Sequence, residues 1–127
     1  MMPLLFLAAA SADLDALDQA VTRCDRTRAT PVFAAEAQRR SQFLVNAYRE
    51  QEAILNARVA IAEQRRVLRD SGIADAAEKQ RLDAENASLD DRLNLLNHRR
   101  SLEAARQQAM DAMRHYFLLN CPAGKLD

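Results

Sequence analysis

Apolar residues recur along this chain at steps of three and four, with almost no strict alternation, so the pattern is that of helices. Leu14, Leu17, Val21 and Cys24 form the first stripe, with Asp15, Asp18 and Arg26 opposite. A stripe this short is unstable alone and must dock on something. Thr30-Pro31 punctuates the chain: proline suits the first position of a helix and disfavours helical geometry just before it. Thr30 is the expected N-cap. No Gly or Pro follows until Gly72, which allows one helix of about 40 residues, near 60 Å long. Phe33, Ala37, Leu44, Ala47, Tyr48, Ile54, Leu55, Val59, Ile61 and Ala62 share a broad arc of it.

Gly72 stands where a helix ends in a left-handed residue. Asp75, with Glu78 three positions on, resembles a capping box that opens another helix. The third helix carries Leu82, Leu89, Leu93 and Leu96 on one stripe, and Leu95, Leu102, Ala109, Met113 and Tyr116 on a second. The pair of stripes predicts that the upper half of this helix meets a single neighbour and that the lower half also meets helix 1. Phe33, Phe43, Tyr48, Tyr116 and Phe117 fall toward the lower end, where three helices leave more space to fill. The expectation is an all-α fold: a long antiparallel, coiled-coil-like helical hairpin with a short N-terminal helix packed at its base. Its helices are expected at about 13–25, 31–71 and 76–120, within a single helical domain, 13–127. Pro122 and Gly124 end the last helix.

Composition agrees with helix, since Ala, Leu, Arg, Glu and Gln dominate and aromatics make up 5% of the chain. Charge is balanced, with 18 basic and 18 acidic residues intermixed. Neither a nucleic-acid footprint nor a polybasic membrane patch results.

Residues 3–12 are a short apolar run ending Ala10-Ser11-Ala12, which fits the small-x-small rule of signal peptidase and makes 1–12 a signal-like segment. No Lys or Arg precedes the run. About ten apolar residues cannot span a bilayer, which needs about 20, so no membrane span is expected. Export to the periplasm or outside the cell would let the two cysteines, Cys24 and Cys121, form a disulfide. Their 97-position separation excludes a Cys-x-x-Cys redox pair. In the hairpin register the bridge requires helix 1 to stop near Cys24 and an extended linker from Asp25 to Thr30.

Candidate chemistry is sparse. His98 and His115, seventeen positions apart, lack the carboxylate or thiol spacing of a metal site, and no metal or cofactor is expected. Asp90 and Asp91 diverge by about 100° on a helix. Ser41, Ser71, Ser88 and Ser101 have no paired base, and no catalytic residue is assigned. Gln51, Arg58 and Arg65, seven apart, interrupt the apolar arc; their stems can cover the seam while their heads reach acids of helix 3, or the face can meet a partner. The expected function is non-enzymatic, through contact with an unknown protein partner or through a homo-oligomer in the cell envelope. The alternatives are a periplasmic holdase-type chaperone, a cytosolic coiled-coil adaptor and a small metal-dependent module.

Overall fold

A computed structural model describes the backbone of residues 3–121 and the side chains of 13–121. The side chains of the signal-like segment, its expected cleavage after Ala12, and Pro122 and Gly124 lie outside what is described. The fold is all-α, with α1 (Pro3–Thr22), α2 (Arg26–Asp70) and α3 (Ala76–Asn120), and no strand among the described residues. The two long helices pack as a hairpin. Their residues fall into two compact units: one up to Ser41 and from Glu103 on, the other Gln42–Leu102.

In the first unit, Leu17, Ala20 and Val21 of α1, Ala29 of α2, and Met110 and Phe117 of α3 are buried together with Cys121, and Leu14, Val32, Phe33 and Met113 pack against them. Ala29 is fully buried, a position where the small side chain lets helices approach closely. The Phe33 and Phe117 ring centroids lie 5.8 Å apart. Arg26 stacks over Phe117, 5.0 Å from the ring centroid, and donates a hydrogen bond to the Cys121 carbonyl. That places a cation on the carbonyl end of α3.

The turn between α1 and α2 differs from the sequence expectation. The Asp25 N–H donates to the Ala20 carbonyl at 2.8 Å and the Cys24 N–H to the Val21 carbonyl at 3.1 Å. These are the two bonds of a Schellman motif, and Cys24 takes its left-handed position at φ 53°. Asp25 then caps α2: its carboxylate accepts from Arg28 N–H at 3.3 Å, and its carbonyl accepts from Ala29 N–H at 2.9 Å. One residue thus closes one helix and opens the next. The expected start at Pro31, with Thr30 as N-cap and an extended linker from Asp25, is corrected; Pro31 lies inside α2. Helix 1 ends at Thr22 rather than 25, and its backbone is helical from Pro3.

In the second unit, Ala47, Ile54 and Ile61 of α2 bury against Leu82, Leu89 and Leu96 of α3, with Phe43, Ala57, Leu68 and Leu93 beside them. Phe43 therefore packs here and not with Phe33 and Phe117, and Tyr48 is exposed. The connection matches the expected tip. α2 stops at Asp70, Gly72 is left-handed at φ 69°, and Asp75 caps α3 by accepting from Glu78 N–H at 3.0 Å. Only half of a capping box forms, because the Glu78 carboxylate is taken by Arg81.

Of the second stripe expected on α3, Leu95, Leu102 and Tyr116 are exposed, and Met113 packs against the core of the first unit. Burial instead continues every seven residues, through Leu82, Leu89, Leu96, Glu103, Met110 and Phe117. A glutamate at one of these positions hides the continuity from any reading of apolar residues alone.

Candidate interaction surface

The α2 seam residues Ala47, Ile54 and Ile61 sit seven apart, the spacing that keeps one face of a helix on its neighbour. About one residue round the wheel, near 100° away, runs another apolar row: Leu44, Tyr48, Leu55 and Val59. These four are 62%, 69%, 55% and 68% exposed. A strip of large apolar side chains along one helix is what marks an interaction site, whereas scattered ones need no explanation. The row comes from the same broad arc that the sequence assigns to one packing face. A single neighbouring helix covers only half of that arc, and in this unit α3 is the only other helix.

Polar contacts fix the seam's edges. Arg58 donates to Asn86 at 3.0 Å and to Asp90 at 2.5 Å, Arg65 to Asp83 at 2.8 Å, and Arg100 to Gln51 at 2.5 Å. Gln51, Arg58 and Arg65 thus act as edge residues with α3 as their partner. On the other edge Arg92 meets Glu50 at 2.9 Å. With these heads committed, the exposed row is left flanked by Arg49 and Glu52, both exposed and neither in an ion pair among the described residues.

The tip carries a second feature, an open hollow of about 660 Å³ whose lining includes Leu68, Ile73, Leu82, Arg69 and Lys79. Ile73 is exposed. Nothing in the sequence marked this hollow, because the path of the turn forms it rather than any motif.

In the first unit the sequence reading missed a buried ionic cluster. The Arg39 guanidinium forks onto two carboxylates, Glu36 at 2.6 Å and Glu103 at 2.5 Å. Arg40 joins Glu36 at 3.4 Å and Asp111 at 2.9 Å; Arg106 joins Asp13 at 3.0 Å and Glu36 at 3.6 Å. Burial works to raise the Glu36 pKa, but the hydrogen bond and charge of Arg39, with Arg106 and Arg40, outweigh it and hold the carboxyl below its ordinary value. The same opposition leaves Glu103 lowered: burial raises it, hydrogen bonds from Arg39 and Gln107 pull it down further, and Glu36 works against them. Two carboxyls kept ionised in this way are acceptors and counter-ions, not proton donors near neutral pH. The Nε of Arg106 is buried without a hydrogen-bond partner among the described residues. The only sequence signal for this cluster is Glu103 lying seven residues after Leu96.

The cysteines are joined, Cys24 to Cys121, with Cα atoms 5.4 Å apart. The other residues weighed for chemistry stay apart or are occupied. His98 and His115 are exposed, and Asp111, four residues before His115, is engaged by Arg40. Asp90 belongs to Arg58. The Ser71 hydroxyl bonds the Leu68 carbonyl at the end of α2, and that of Ser101 the Asn97 carbonyl of its own helix. Among the described residues no three of His, Cys, Asp and Glu come together as metal ligands, and no helix is long and apolar enough to cross a membrane. No protein-family model matches the chain, and no curated protein or solved structure matches it significantly.

Proposed function

We propose that this protein is a non-enzymatic, exported helical hairpin that works by protein–protein contact or self-association, in the periplasm or outside the cell. The observation that carries the reading is the exposed row Leu44, Tyr48, Leu55 and Val59 on α2. Keeping four large apolar side chains in register along a rigid helix, on a face that its hairpin partner leaves open, is the arrangement used by helices that receive another helix. Export is supported by the Cys24–Cys121 disulfide, since such bonds persist in oxidising compartments and are rare in reducing ones, and by the signal-like residues 1–12.

Placing a photo-crosslinking amino acid at Leu55, and separately at the exposed Asn94 of α3, tests the reading in the native host. Expected is a discrete crosslinked species from position 55 that is absent from position 94. Equal, background-level labelling from both positions would refute contact through this face.

A further inference from the structure

We infer that the exposed row of α2 is the self-complementary face of an antiparallel homodimer, an inference that rests on the contact reading above and names its partner as a second copy of this chain. The row is spaced four, seven and four residues: 44, 48, 55, 59. This spacing is unchanged on reversal. A two-fold axis between Gln51 and Glu52 therefore sets Leu44 opposite Val59 of the other copy and Tyr48 opposite its Leu55, twice each, as an isologous interface requires.

Charge favours the same arrangement. Arg49 and Glu52 lie on one flank of the row, exposed and without ion pairs among the described residues. In an antiparallel pair the same flanks face each other, so Glu52 of each copy comes level, within about one helical turn, with Arg49 of the other. A parallel pair would instead face them with the flank of Gln51 and Arg58, whose side chains are already held by Arg100, Asn86 and Asp90.

The row spans about 22 Å along the helix, which is short beside the ~1,600 Å² interfaces of stable complexes. The dimer is accordingly weak and concentration-dependent, with a Kd on the order of 10–100 μM.

Sedimentation equilibrium of the oxidised full chain, from about 5 to 500 μM, tests this over the range that such an affinity sets. The wild type should follow a monomer–dimer equilibrium, and Leu55→Glu should be monomeric throughout with unchanged helix content, because Leu55 is exposed. Glu52→Arg should weaken the dimer roughly tenfold, and the double variant Arg49→Glu/Glu52→Arg should return to within about threefold of wild type, because the pair is re-formed with its signs exchanged. A wild type that stays monomeric, a dimer indifferent to Leu55→Glu, or a double variant no better than Glu52→Arg would each overturn the inference. A monomeric chain whose position 55 crosslinks to a different protein overturns self-pairing and leaves the contact reading standing; a monomeric chain with no crosslink removes both.

Discussion

The two units solve the same packing problem with different means. In the first, segments of three helices surround Val21, Met110 and Phe117, a disulfide ties Cys24 to Cys121, and two buried carboxylates share one arginine. In the second, two helices bury six aliphatic residues and no covalent tie is present. Leu44, Tyr48, Leu55 and Val59 remain in water. A helix with a broad apolar arc therefore needs two neighbours. Where α1 supplies the additional neighbour, Val32 and Phe33 of α2 pack into the core, although Tyr116, Leu118 and Leu119 of α3 stay exposed. Where it does not, half of the arc is left available to another molecule.

Removing the covalent tie should have the largest effect on this contrast. In the chain-entropy account, a bridge across 97 positions withholds about 4–5 kcal/mol of unfolded-state freedom. Cys24→Ser should therefore lower the melting temperature by roughly 10–20 °C under oxidising conditions and leave Cys121 open to alkylation. The bridge closes a loop that contains residues 42–102, so the slowest-exchanging amides around Leu82–Leu96 should lose protection together with those of 13–41 and 103–121. An unchanged melting temperature would show that the tie holds neither unit.

Next in size is the aliphatic seam. Leu89 is 5% exposed among Ile54, Ile61, Leu82 and Leu96, and Leu89→Ala should cost about 2–4 kcal/mol by lost burial and the cavity left behind. The check is chemical denaturation with the disulfide intact. A cost under about 0.5 kcal/mol, the range of surface substitutions, would mean the second unit is not held by this seam.

The weakest effect is the one with pH. Glu36 and Glu103 have folded pKa values below the ordinary 4.5, so the unfolded chain takes up protons first as pH falls. Their contribution is fully present above that value and is lost as pH drops through the depressed folded ones. Melting temperature should hold from pH 7 to about 5 and fall below about 4.5, with exchange protection failing first in the unit that holds the cluster. Stability that rose on acidification would contradict the ionised assignment.

Much of the hairpin was legible because its signals are local. Gly72 and Asp75 each carry the chemistry of their own turn, and the lack of Gly or Pro from 32 to 71 and from 73 to 121 allows a long helix on either side of them. The cysteine pair was legible from compartment chemistry and spacing. The α1–α2 turn was not, because a cysteine fills the left-handed position that usually holds glycine, while Pro31, the visible breaker, falls inside a helix that tolerates it. Nor was the α3 seam. Glu103 takes a buried position that its ion pair with Arg39, 64 residues earlier, makes acceptable, and a residue whose burial depends on a distant charge leaves little local mark.

The helices, the tip and the apolar arc of α2 are thus written in the amino-acid order, because all of them follow from propensity and periodicity over a few turns. Which half of that arc becomes core is settled by the packing of the helices alone. Ile54 and Leu55 are neighbours of equal hydrophobic merit, and Ile54 is 2% exposed while Leu55 is 55% exposed. The choice lies in how α3 docks, and one helix can cover only one side of another.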